Sequence, residues 1–224
     1  MTRIRAVIGA YLGIILFSTF VFLGAGKLAY WQGLLYLVLA LTGVTLNQLF
    51  AHKDSDLVVE RARGAGAGEI WDKRILGVYF FLCIIAFITG GLDSGRFGWS
   101  DHVPLAVNIS GVFVMLLGQL LLAMAMRENR FFSSTVRLQV ERGHRVCDTG
   151  LYRVVRHPGY LGMMLALLAF PMVIGSYWAF IPVAFAMLLL IARTVLEDRL
   201  LIQALPGYRD YAARTRWRLI PGVF

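Results

Sequence analysis

The side chains best suited to chemistry in this sequence lie in two polar segments. Residues 127–160 read RENRFFSSTVRLQVERGHRVCDTGLYRVVRHPGY, and residues 193–211 read RTVLEDRLLIQALPGYRDY. In the first, Pro158 fits the opening turn of a helix and restricts the residue before it, so a helix is predicted to begin at His157-Pro158. The free N–H groups of that turn, with Arg156 and His157 beside them, suit an anionic group. Taken alone, the same residues serve equally well to anchor a helix at lipid headgroups. In the second segment Arg193 and Glu197 stand four apart, so they share a helix face, either as an ordinary ion pair or as part of a pocket wall. The four histidines, His52, His102, His144 and His157, are scattered without metal-ligand spacing, so no metal is expected.

These segments must be positioned by a membrane fold. The chain of 224 residues is 58% hydrophobic and 16% charged, whereas soluble domains carry about 25% charged residues. Apolar stretches near the roughly 20 residues needed to cross a hydrocarbon core recur along it. The expectation is one all-α, polytopic membrane domain over residues 1–224 with about six transmembrane helices, at 6–26, 28–50, 75–92, 103–126, 160–174 and 177–196. Residues 127–224 are expected to carry the catalytic and cofactor-binding region. The first stretch resembles a signal peptide only in its leading Arg3 and Arg5, for its apolar run is too long and no small-residue cleavage site follows. The last two stretches form a short hairpin turning at Gly175-Ser176, with Trp178 placed as an interfacial aromatic. That hairpin returns Tyr160 and Arg193 to one interface.

Charge sets the expected orientation. All but Lys27 and Arg96 of the 22 basic residues fall on one side of this arrangement, which predicts both termini and the 127–156 loop in the cytosol by the positive-inside rule. A bacterial inner membrane is the expected location. The net charge of +9 flanks helices and makes no soluble basic face, which points to anionic headgroups and away from nucleic acid. The helix interiors at these boundaries hold no ionisable residue of the sort that proton or ion transporters place at mid-membrane. Asn47, Gln48 and Gln119 read as helix-packing groups, and 63–68 (RGAGAG) as a flexible connection. Cys83 and Cys147 sit too differently to form a disulfide framework.

The two polar segments resemble the C-terminal signature of the isoprenylcysteine carboxyl methyltransferase family, membrane enzymes that use S-adenosylmethionine. The matching residues are His144-x-x-Cys147, Thr149-Gly150-Leu151-Tyr152, Arg156-His157-Pro158-Gly159-Tyr160-Leu161-Gly162, and Glu197-Asp198-x-Leu200-Leu201 with Tyr208 and Tyr211. Earlier, residues 57–61 (LVVER) and Trp71-Asp72-Lys73 are similar to bacterial members. The resemblance implies a cytosolic cofactor pocket built from the C-terminal half. It places His144, Arg145, Val146, Cys147, Tyr152, His157, Pro158, Gly159, Tyr160 and Glu197 around S-adenosylmethionine. A further cofactor contact of the family falls on Arg137, for which Gln139 is the alternative. Arg193 matches the substrate-contacting arginine, and Arg156 is taken with it as catalytic.

This chemistry suits the residues at hand. Methyl transfer from a sulfonium is an in-line displacement that needs alignment and exclusion of water, with neither metal nor covalent nucleophile. A carboxylate acceptor is ionised at neutral pH, and a guanidinium fork could hold it. Tyr152 and Tyr160 offer aromatic faces to adenine or to the sulfonium cation. The expected acceptor is lipophilic, a small molecule or a lipid-modified substrate met among membrane lipids. Alternatives are a phospholipid or small-thiol methyltransferase, a sterol-reductase-like enzyme using NADPH, for which no Rossmann glycine fingerprint is present, or a non-catalytic scaffold.

Overall fold

The computed structural model describes residues 3–50 and 68–224. His52, Lys53, Arg61, Arg63, the 57–61 stretch and all of 63–68 except Gly68 lie outside the described residues. The chain is helical: α1 (Arg3–Ala25), α2 (Trp31–Phe50), α3 (Ile70–Gly90), α4 (Leu105–Glu128), α5 (Pro158–Ile174), α6 (Phe180–Ala204) and a short α7 (Tyr208–Arg214). A π-helical turn, Gly91–Phe97, continues α3, and two 3-10 turns, Val140–Arg142 and Gly150–Arg153, punctuate the long α4–α5 connection.

Five of these helices are long and apolar enough to cross a membrane: α1, α2, α3 with its π extension, α4 and α6. The chain is thus a polytopic integral membrane protein. The expected sixth span, α5, has 17 residues. At 1.5 Å per residue it is about 26 Å long, short of the roughly 30 Å hydrocarbon core. Its first turn is sunk into protein, for residues 155–160 are all buried. Boundaries shift as well. The third helix starts at Ile70 and, with its π turn, runs to Phe97, while the last long helix reaches Ala204, so Asp72, Asp93, Arg193, Glu197 and Asp198 all lie on helical elements.

Without a hydrophobic force between helices in lipid, close packing must come from small residues and interhelical hydrogen bonds. A Cβ on Gly118 of α4 would lie 2.6 Å from the Gly162 carbonyl of α5, and one on Gly162 would lie 2.6 Å from the Gly118 carbonyl. The two backbones therefore touch where only glycine fits, which fixes the depth of α5. α1 meets α3 in the same way, through Gly24 and Gly91. Gln119 behaves as a packing group, donating to the Leu39 carbonyl of α2 at 2.8 Å. Asn47, Gln48 and Gln119 each keep a buried side-chain oxygen with no partner among the described residues.

The turn at Gly175 (φ +74°) ends α5 as expected of a left-handed glycine cap. At that end of the bundle Asp93 is fully buried, with no ion-pair partner among the described residues. It accepts from the Ser100 amide at 2.7 Å and hydroxyl at 2.5 Å and from the Ser176 hydroxyl at 2.6 Å, which satisfies the carboxylate. The opposite end carries the α4–α5 connection and the C-terminal tail. The tail returns there because the amides of Arg156 and His157 donate to the carbonyls of Trp217 and Arg218, both at 2.9 Å.

Candidate active site

At that second end a cavity of about 460 Å³ lies between α3, α5, α6, α7 and the α4–α5 connection, a size ordinary for cofactor sites. Arg137, His144, Arg145, Val146, Cys147, Tyr152, Arg156, His157, Gly159, Tyr160, Arg193 and Glu197 all line it. Pro158 does not line it and acts as the buried N1 residue of α5. The cavity is not built from the C-terminal half alone, since Ile14, Leu76, Tyr79 and Phe80 of α1 and α3 close one side.

The connection folds over the cavity through local hydrogen bonds. Gln139, the alternative to Arg137, turns away from the cavity. Its amide donates to the Phe131 carbonyl at 2.7 Å, and its oxygen accepts from Arg142. This buried amide thus braces the loop. Arg137 lines the cavity and pairs with Glu141 at 2.7 Å. His144 stacks on Phe131, ring centroids 4.6 Å apart. Burial, then the charges of Arg142 and Arg137, hold its pKa below the usual histidine value, so the ring is neutral at pH 7. Burial likewise raises the pKa of the Cys147 thiol and the Tyr152 phenol. Cys147 is therefore no thiolate nucleophile. Gly159 admits the Phe132 ring, which would lie 2.4 Å from a Cβ there.

The adjacent carboxylates Glu197 and Asp198 have separate tasks. Asp198 is fully buried and is a hub. Its Oδ1 accepts from Arg156 Nε (2.8 Å) and the Tyr208 hydroxyl (3.0 Å) and lies 3.2 Å from His157 Nε2, while its Oδ2 accepts from Arg156 Nη2 and Arg218 Nε, both at 2.9 Å. Arg156 also donates from Nη1 to the carbonyls of Thr215 (2.8 Å) and Arg216 (3.0 Å). Its guanidinium thus ties α6 to the tail, while the residue also lines the cavity. Glu197 points the other way, into the cavity, where its Oε2 accepts from the Tyr160 hydroxyl.

Arg193 does not pair with Glu197, as the i, i+4 spacing allowed. Its Nε and Nη2 donate to the two oxygens of Asp72 on α3 at 2.6 and 3.2 Å, and Nη2 also donates to the Ser134 carbonyl at 2.9 Å. The guanidinium lies over the Tyr160 ring, 5.3 Å from its centroid. Its two Nη1 hydrogens have no partner among the described residues, and the side chain borders the cavity. Sequence reasoning noted Asp72 only as part of a motif. Its partner is 121 positions away, and the one legible hint was a carboxylate in the first turn of an apolar helix.

Two further hollows adjoin the cavity. One of about 430 Å³, lined by Arg130, Arg142 and Arg145 with Glu128 and Asp148, shares Val146 and Cys147 with it. The other, about 660 Å³, is a groove between α1, α2 and α3, lined by Phe17, Tyr36, Cys83 and Phe87, with Arg5, Asn47 and Gln48 also on its wall. Ile14, Tyr79, Phe80 and Ser134 line both groove and cavity. Among the described residues no His, Cys, Asp and Glu cluster could hold a metal ion.

Residues 111–203 match the model of the isoprenylcysteine carboxyl methyltransferase (ICMT) family. Two similar curated proteins are probable protein-S-isoprenylcysteine O-methyltransferases from Oryza sativa subsp. indica and subsp. japonica. Each is 30% identical to this chain over 60 residues, which is 26% of this chain and 31% of the relative. The match thus spans about a third of the length of those relatives. The family-model match falls on most of α4, the connection that follows it, α5 and nearly all of α6, the elements that carry most of the cavity. Over residues 111–203, the chain is similar to the isoprenylcysteine carboxyl methyltransferase family.

Proposed function

We propose that this chain is an S-adenosylmethionine-dependent membrane methyltransferase acting on the carboxylate of a lipophilic, isoprenylcysteine-like acceptor. One observation carries the reading: a cavity lined by Glu197, Tyr160 and a desolvated Arg193 adjoins, across shared wall residues, an apolar groove. The cavity side chains suit the cofactor. Glu197 offers an acceptor, with only Oε2 partnered among the described residues. The Tyr160 and Phe131 rings and neutral His144 provide apolar and aromatic surface without added positive charge. His144, Tyr152, His157 and Tyr160 would hold the cofactor with Glu197, and Arg137, Arg145, Val146, Cys147 and Gly159 would complete the wall. When bound, S-adenosylmethionine supplies an electrophilic methyl group.

The chain's own residues then supply alignment. Arg193 presents its Nη1 hydrogens to an acceptor oxygen, complementing a carboxylate and opposing an ammonium, which favours a carboxylate over an amine acceptor. No proton needs to move, because a carboxylate is ionised at pH 7. The apolar groove receives the acceptor's hydrocarbon part, and the folded α4–α5 connection excludes water. The basic end of the bundle faces the cytosol in this reading, so the cofactor reaches the cavity past Arg130, Arg142 and Arg145 while the acceptor comes from the bilayer. Saturable binding of radiolabelled S-adenosylmethionine to the detergent-solubilised protein, lost in Glu197→Ala, is the expected result. Absence of binding by the wild type refutes the reading.

A further inference from the structure

Asp72 lies outside residues 111–203, yet it joins three elements of the candidate site. It sits in the first turn of α3 and is fully buried. Its two oxygens take the Nε and Nη2 hydrogens of Arg193, and Oδ2 also accepts the Val136 amide at 2.8 Å. Val136 in turn accepts the Glu69 amide at 3.1 Å. Gly68 lies against Thr135 so closely that a Cβ there would be 2.5 Å from that side chain. The start of α3 is thereby stapled to the stretch of the α4–α5 connection that roofs the cavity.

This arrangement decides which edge of Arg193 faces an acceptor. A guanidinium has five donors in a fixed plane. Asp72 and the Ser134 carbonyl take Nε and Nη2, so the paired fork is spent on the protein. Only Nη1 remains, on a guanidinium whose Cζ lies over the Tyr160 ring. Given the methyltransferase reading above, on which this inference rests, we propose that Asp72 is a positioning residue. It locks the Arg193 plane so that Nη1 directs one carboxylate oxygen of the acceptor toward the donor methyl. It acts through Arg193 and touches neither reactant. A buried ion pair kept only for stability could equally be replaced by apolar side chains of similar volume, whereas a positioning pair tolerates no such exchange in function.

The test is a double-mutant cycle on the full chain in detergent. Asp72→Asn and Asp72→Glu are made in the wild type and in Arg193→Gln. For each, S-adenosylmethionine affinity is measured by calorimetry, and methyl transfer is measured with N-acetyl-S-farnesylcysteine as the probe acceptor. Asp72→Glu retains the charge pair, and therefore the fold, but displaces the guanidinium by about a methylene. In the wild-type background both substitutions are expected to lower kcat/KM about 10-fold to 100-fold, the penalty for roughly 1 Å of misplacement. Cofactor affinity stays within about twofold. In Arg193→Gln the same substitutions change kcat/KM by less than about threefold, since the residue they act through is gone. Equal losses in both backgrounds, loss of cofactor affinity in parallel, or unchanged transfer by Asp72→Glu overturns the proposal. A wild type that transfers methyl normally while these outcomes occur leaves the methyltransferase reading standing. A wild type that binds no S-adenosylmethionine, or binds it without methylating the farnesylated acid, overturns the acceptor assignment and this proposal with it.

Discussion

Replacing the neighbouring carboxylates Glu197 and Asp198 one at a time should separate binding from folding. Asp198 accepts from Arg156 twice, from Tyr208 and from Arg218, with His157 Nε2 at 3.2 Å, and it is fully buried. Asp198→Asn removes the charge that balances Arg156 and turns an amide N–H₂ toward guanidinium donors. Breaking a buried charge pair from one side costs about 3 to 5 kcal/mol. For a chain of this size about 1 kcal/mol corresponds to roughly 2 to 4 °C, so the melting temperature should fall by about 6 to 20 °C. The tail should loosen too, since Arg156 also holds the Thr215 and Arg216 carbonyls. Tryptophan fluorescence melting of the purified protein, with limited trypsin cleavage after Arg214 and Arg216, reads both effects. Glu197→Gln leaves that network alone and should melt within about 2 °C of wild type. Its S-adenosylmethionine affinity should fall about 10-fold to 150-fold, the worth of one charge-assisted hydrogen bond of about 1.5 to 3 kcal/mol. Equal stability of the two variants, or equal loss of cofactor affinity with no change in melting, refutes this division of labour.

Three further outcomes are expected. Arg193→Lys keeps one charge but cannot span Asp72 and the Ser134 carbonyl together, so methyl transfer should fall about 100-fold while titration calorimetry finds cofactor affinity near wild type. His144 has a folded pKa below its unfolded value of about 6.5. As pH falls through that window the unfolded chain takes the proton first, so stability is lost toward acid. Melting curves from pH 7.5 to 5.5 should show a shallower acid loss in His144→Gln, and an equal slope excludes His144 as a source. The skew of basic residues predicts that a cysteine at position 95 reacts with an impermeant reagent in intact cells while one at 143 is protected. The opposite labelling inverts the orientation.

The amino-acid sequence by itself determined the class of protein and the neighbourhood of the site. Apolar runs with few charges admit only membrane helices, because backbone polar groups have no water to bond in lipid. The glycine at 175 and the proline at 158 marked the ends of α5, since left-handed backbone and an N1 position carry residue preferences that hold without tertiary context. The resemblance of the motif residues to the family signature implied that His144, Cys147, Tyr152, His157, Tyr160 and Glu197 gather, and the short hairpin returned Tyr160 and Arg193 to one interface. Tertiary structure alone decided what each does. Arg193 was free by spacing to pair with Glu197, but a nearly fully buried guanidinium takes the partner that best offsets its desolvation, and Asp72 offers two oxygens in its plane. Arg156 and Asp198 likewise satisfy each other across 42 positions. Gln139 was diverted into bracing the loop, and α1 and α3 supplied a cavity wall and a groove that no local pattern encodes. Side-chain partners at such separations depend on how helices are set in depth and rotation. Here that setting rests on backbone contacts at Gly118 and Gly162, Gly24 and Gly91, whose meaning appears only when both helices are present.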